Sequence, residues 1–217
     1  MSTFEVAALP LPVFVLLTDR FAARAAGRTL VATVAAALDA GARAVLFREK
    51  DLPQPDRLAL AMGVRHVVTS SGARMGVASD PFLAVAVDSD WLHLAQRDPQ
   101  PETATGMTIG RSCHGPAEVG AAAAEGCAYA TISPVALTIS KPGYGPALGV
   151  SGVQASTRTA PGFPLWALGG VDANNAPRWL AAGTAGIAVM GGVMGAPDPA
   201  AATRRLLSVL EGSDTSA

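Results

Sequence analysis

Arg48 and Lys50 stand two residues apart behind the apolar run Ala44–Phe47, with Glu49 between them and Asp51 after. If that run is a strand, alternation puts the two cations on one side and Glu49 on the other. Two cations on one face suit a polyphosphate. A charged rim laced with salt bridges to Glu49 and Asp51 is the plainer alternative. A second group lies in Thr131–Gly149, where Thr138, Ser140 and Lys141 occupy a loop that runs into a Gly- and Pro-rich stretch. Hydroxyls, backbone N–H groups and one ammonium again suit a phosphate, although ordinary surface loops use the same residue types. Asp80 (after Ser79) and Asp98 follow two further apolar runs. Two carboxylates on neighbouring strand ends would bind one Mg2+, with waters and substrate phosphates completing the octahedron. Alone, Asp80 before Pro81 also reads as a helix cap, and Asp98 as a loop residue. In Arg111-Ser112-Cys113-His114, a histidine is the side chain suited to proton transfer at neutral pH, so His114 would serve as a general acid or base, or simply precede a helix. His93, inside an apolar run, reads as core packing, Cys113 as a small buried side chain, and Trp166 as filling for the core rather than lining for a site.

These groups need a frame, and the chain repeats one beat: apolar run, polar tip, Ala-rich segment, Gly. Strands are expected at Val13–Leu17, Ala44–Phe47, Met75–Ala78, Trp91–Leu94, Met107–Gly110, Tyr129–Ile132, Pro164–Leu168 and Gly186–Met190. The runs are continuous rather than alternating, as in parallel strands buried on both faces. Helices are expected at about Thr29–Ala40, Gln54–His66, Pro81–Val87, Pro116–Glu125, Val150–Arg158, Ala173–Ala181 and Pro199–Leu210; Asp98–Thr105, with Pro99 and Pro101, reads as a loop. Eight such units predict a (β/α)8 TIM barrel, one compact domain over residues 1–212, with 213–217 as a disordered tail. A doubly wound sheet is the alternative. In such a barrel chemistry gathers at the C-terminal strand ends, and the loops after strands seven and eight often bind phosphate. Here those ends read Leu168-Gly169-Gly170-Val171 and Met190-Gly191-Gly192-Val193, two Gly pairs that would expose backbone N–H groups.

Composition narrows the partners. The chain has 217 residues, a formal charge of −1 and 50% hydrophobic residues, so a broad nucleic-acid surface is not expected. Cys113 and Cys127 lack metal-type spacing and fit a reduced, cytoplasmic protein. No basic region precedes the first apolar stretch and no apolar run reaches about 18–20 residues, so neither a signal peptide nor a membrane span is expected. A homo-oligomer is left open.

Several of these motifs together resemble the thiamine-phosphate synthase and thiazole tautomerase family. The similarity runs from L-L-T-D (Leu16–Asp19) to G-I-A-V-M-G-G-V (Gly186–Val193). It includes R-E-K-D-L (Arg48–Leu52), S-x-H (Ser112–His114), T-I-S-K-P (Thr138–Pro142) and A-L-G-G-V (Ala167–Val171). The resemblance implies a synthase that joins a pyrimidine, carried as its methyl pyrophosphate, to a thiazole phosphate with release of pyrophosphate. It implies that Arg48, Lys50 and Lys141 hold the pyrophosphate and that Asp80 and Asp98 hold Mg2+. Ser112 would lie near the pyrimidine and reaction centre, while Thr138, Ser140, Gly170 and Gly191 would contact the thiazole phosphate; Met190 would be a further substrate-binding position, and Ser79 would lie at the pyrimidine pocket. Three positions depart from the synthase pattern: Leu46 replaces a Gln, Ser79 an Asn and Gly191 a Ser, the first two at the pyrimidine pocket. The same resemblance admits a thiazole tautomerase with His114 as acid/base and no metal, or a non-catalytic barrel that binds thiazole or thiamine phosphate.

Overall fold

A computed structural model describes residues 11–103, 106–137 and 146–214. Eight parallel strands close in sequence order: β1 (Phe14–Leu17), β2 (Ala44–Phe47), β3 (Arg74–Ala78), β4 (Trp91–Leu94), β5 (Thr108–Cys113), β6 (Tyr129–Ile132), β7 (Leu165–Leu168) and β8 (Gly186–Val189), which pairs back onto β1. Around them run α1 (Arg20–Ala25), α2 (Leu30–Asp39), α3 (Gln54–Ser70), α4 (Pro81–Ala86), α5 (Pro116–Ala124), α6 (Gly149–Thr159), α7 (Ala176–Ala181), α8 (Gly191–Met194) and α9 (Pro199–Asp214). Closure excludes the doubly wound sheet. It also explains the continuous apolar runs, because each strand buries one face in the barrel and the other beneath helices.

The two faces separate cleanly. Phe14, Leu16, Val45, Phe47, Met75 and Val77 join the helix-facing core, whereas Val15, Leu17, Ala44, Leu46, Trp91, Tyr129 and Trp166 fill the interior. Three aromatic rings plug that interior opposite three glycines. A β-carbon on Gly76, Gly110 or Gly186 would lie 2.0, 2.1 or 2.3 Å from Trp91, Tyr129 or Trp166. Trp166 is therefore core, and its indole Nε1–H donates to the Pro12 carbonyl at 3.0 Å.

Beyond end shifts of three or four residues in α3, α7 and α9, three elements differ from expectation. β5 runs on to Cys113, pairing Ser112 with Thr131 and Cys113 with Ile132. Polar Arg111 and Ser112 break the apolar run in sequence, yet Arg111 faces outward under loops and Ser112 inward. α1 was not expected because six residues show no clear period; Asp19 caps it, accepting from the N–H groups of Phe21 and Ala22 at 3.1 and 3.0 Å. α8 opens on two glycines, poor helix formers that give no helical signal.

Candidate active site

At the end of β2 the charges sort by face. Glu49 is buried, and its carboxylate accepts from Arg20 Nη1 at 3.0 Å and from the Arg20 backbone N–H at 3.1 Å. Arg20 also binds Asp51 with both terminal nitrogens, which holds the Asp51 carboxyl down to about 2. So both carboxylates beside the cations are engaged by an arginine from the first βα unit. Thr18, fully buried, accepts from the Arg48 N–H at 2.8 Å and bonds Glu49, pinning the strand end that carries Arg48. Burial nonetheless pushes the Glu49 carboxyl upward.

Lys50 reaches the other way. Its Nζ donates to Ser79 Oγ at 2.6 Å, and Ser79 in turn bonds the Asp98 carboxylate, so a cation, a hydroxyl and a carboxylate form one chain across β2, β3 and β4. Ser79 holds φ +58, in the left-handed region. Burial raises the Asp98 pKa, but Ser79, the Ala95 N–H at 2.7 Å, Lys50 and Arg111 together bring it below the ordinary value. Asp80 does cap α4, accepting from the Leu83 N–H at 2.9 Å, and its other oxygen accepts from Arg57 Nη1 at 2.9 Å. The cap and a metal role are compatible, since each carboxylate oxygen has a second lone pair. The loop bearing Asp98 is held from behind. Arg111 Nη1 donates to the carbonyls of Ala95, Gln96 and Asp98 at 3.1, 3.1 and 2.9 Å, and its Nε pairs with Glu125 at 3.0 Å.

Two carboxylate side chains on adjacent strand ends are a donor set suited to Mg2+. Among the described residues no three His, Cys, Asp or Glu side chains gather as a cage. Mg2+ needs only one or two carboxylates when waters and substrate phosphates supply the rest.

His93 points into the barrel, not into an apolar core. Its Nδ1 lies 2.8 Å from Tyr129 Oη, and its Nε2 lies 2.9 Å from Ser112 Oγ and 3.4 Å from Thr131 Oγ1. Burial first, then Lys50, lowers its pKa to about 3, so the ring is neutral. His114 Nδ1 lies 3.1 Å from Glu118, whose same oxygen accepts from the His114 backbone N–H at 2.7 Å. Cys113 is buried and its thiol is pushed up to about 12 by burial.

A cavity of about 560 Å³ opens at the same end of the barrel, bordered by Arg48, Leu137, Gly170, Met190, Gly191 and Gly192 among others. Gly169 and Gly170 have φ +87 and +69, and a β-carbon at Gly170 would lie 2.4 Å from the Leu137 carbonyl oxygen. Only glycine lets the β7 loop pass under the β6 loop there. Asn175 staples the turn, its Nδ2 donating to the Gly170 carbonyl at 2.8 Å. Gly191 and Gly192 begin α8, where the first N–H groups have no intrahelical partner.

Of the expected residues, Arg48, Gly170, Met190 and Gly191 border this cavity. Lys50, Ser79 and Asp98 form the adjoining polar cluster, with Asp80 next to Ser79, and Ser112 is joined to His93. His114 is tied to Glu118 rather than to either group. Thr138, Ser140 and Lys141 lie outside the described residues. Sequence reasoning missed Thr18, Arg20, Arg57, Arg111 and Tyr129, each of which acts through a partner far away in the chain, and Asn175, which acts within its own turn.

A closed barrel with its polar groups collected at the C-terminal strand ends defines a (β/α)8-barrel enzyme. The chain belongs to the thiamine monophosphate synthase family, whose sequence pattern it matches over residues 14–193. A Geobacter sulfurreducens relative is 38% identical over 200 residues, covering 90% of this chain and 92% of its own length. The thiamine-phosphate synthase of Methanoculleus marisnigri is 37% identical over 194 residues, 87% of this chain and 90% of that one. In three dimensions the chain is similar to the thiamine phosphate pyrophosphorylase of Pyrococcus furiosus, with a TM-score of 0.83, 28% identity and coverage of 95% of this chain and 98% of that one. Among the described residues no helix is long and apolar enough to cross a membrane.

Proposed function

We propose that this chain is a thiamine-phosphate synthase that joins 4-amino-2-methyl-5-pyrimidinylmethyl pyrophosphate to a thiazole phosphate, releasing pyrophosphate. The observation that carries this reading is the family match over residues 14–193. The cavity between Arg48 and the two Gly-pair loops supports it. In the reaction the CH2–O bond breaks, its electron pair leaves on the pyrophosphate oxygen, and the thiazole nitrogen lone pair forms the new C–N bond. Charge therefore grows on the leaving group, where Arg48, Lys50 and Lys141 would stabilise it. Asp80 and Asp98 would hold Mg2+, which supplies further charge neutralisation at the pyrophosphate when bound. The N–H groups of Gly170 and Gly191, the hydroxyls of Thr138 and Ser140, and the wall around Met190 would hold the thiazole phosphate, fixing its nitrogen in line. Ser112 and Ser79 would contact the pyrimidine pyrophosphate.

A turnover assay tests this. Purified protein with both substrates and Mg2+ should form thiamine phosphate, and chelation should abolish it. Asp80→Ala should remove most activity and His114→Ala should leave most of it. The opposite ranking, with turnover of a thiazole alone, would move the assignment to a tautomerase using His114. No turnover of either kind by folded protein would leave a binding barrel.

A further inference from the structure

The His93 contacts have a direction. Tyr129 and His93 are 4% and 5% exposed, so their polar atoms must satisfy one another inside the barrel. A phenol is a better donor than an aliphatic hydroxyl, and an imidazole nitrogen a better acceptor than a phenol oxygen. The 2.8 Å contact is therefore Tyr129 O–H donating to His93 Nδ1. The surroundings agree: the Trp91 indole N–H, a donor only, faces the Tyr129 oxygen without reaching full hydrogen-bond geometry. With Nδ1 accepting and the ring neutral, the proton sits on Nε2, and Nε2–H donates to Ser112 Oγ at 2.9 Å. Ser112 thus uses a lone pair downward, and its own hydrogen remains for something above it. The floor on the other side is apolar, formed by Leu17, Leu46 and Ala78, so polar recognition at this depth falls to β4–β6.

We propose that Tyr129 and His93 are positioning residues that hold the Ser112 hydroxyl as a hydrogen-bond donor to an acceptor atom of the pyrimidine pyrophosphate. This rests on the synthase reading for the identity of the ligand, but the donor direction does not. Tyr129→Phe removes the donor to Nδ1, frees the ring to take the other tautomer and lets Ser112 spend its hydrogen on Nε2.

Nitrogen NMR of the 15N-histidine-labelled full chain reads the tautomer without any variant: His93 should carry its proton on Nε2. Kinetics then read the consequence. Tyr129→Phe should lower kcat for thiamine phosphate formation by up to about tenfold, the scale of one hydrogen bond, with KM for the thiazole phosphate unchanged. On a Ser112→Ala background the same change should have no further effect, because the relay reaches the ligand through that hydroxyl. A proton on Nδ1 in the unmodified protein overturns the proposal, as does a Tyr129→Phe loss that multiplies with Ser112→Ala. If the unmodified protein forms no thiamine phosphate, the synthase reading fails while the tautomer still decides the donor direction.

Discussion

Ser79 and Gly170 show how a single backbone angle limits what a position can hold. Ser79 sits at φ +58 between Lys50 and Asp98, in a region that is unfavourable for most side chains but tolerated by Asn. Ser79→Asn should therefore raise stability by about 1 kcal/mol, while its side-chain carbonyl still accepts from Lys50. Denaturant unfolding would read this as a higher midpoint with an unchanged slope, and a lower midpoint would refute the strain argument. Gly170 is the reverse case. A methyl group there meets both a positive φ and the Leu137 carbonyl oxygen at 2.4 Å. Gly170→Ala should displace the β6 or β7 loop, raising KM for the thiazole phosphate at least about tenfold, by analogy with the loss of a phosphate-binding backbone contact. An unchanged KM would mean that the loop does not bind it.

At the scale of elements, the loops are held by side chains from neighbouring strands rather than by their own turns. The loop from Ala95 to Asp98 hangs on the Arg111 guanidinium of β5, which donates to three of its carbonyls. Arg111→Ala should destabilise the fold by about 1.5–3 kcal/mol, the range for hydrogen bonds to a charged group. It should also weaken the Mg2+ dependence of turnover by about tenfold, as supporting residues around metal ligands commonly do. A metal titration of activity checks the second effect. If affinity for Mg2+ holds while stability drops, Asp98 is not a ligand whose position matters. The cations of β2 show the same logic: Arg20, from α1, takes both Glu49 and Asp51, so the rim is salt-bridged without the bridges running to Arg48.

For the whole molecule, the barrel interior is apolar at one end and polar at the other, and a neutral imidazole sits at the boundary. The unfolded value of His93 lies near 6.5 and the folded value at about 3. Between them the unfolded chain binds the extra proton. Stability is then complete above about pH 6.5 and is lost as pH falls toward 3, by up to about 1.4 kcal/mol per unit. Asp98, with its folded value depressed, adds a loss of the same sign below the ordinary carboxylate value. Thermal unfolding from pH 7.5 to 4 should show a falling Tm, and His93→Gln should flatten the upper part of the fall. An equally steep variant would mean that other groups dominate.

The periodic runs, most of the helix starts and the Gly pairs behind strands seven and eight were legible in the sequence because they are written in residues adjacent along the chain. So was the expectation of a closed barrel, which follows from counting eight βα units. What each polar group bonds was not legible. His93 looked like packing because its neighbours in sequence are apolar, yet across the barrel it meets Tyr129, Ser112 and Thr131. Asp80 looked like either a cap or a ligand, and the fold adds Arg57 from α3. β5 looked to end three residues earlier because its outward Arg111 is a charge satisfied only across the fold, by the β4 loop and Glu125. Local chemistry chooses the elements; barrel closure, by fixing register and removing water, decides which distant groups must satisfy one another, and that set positions the site.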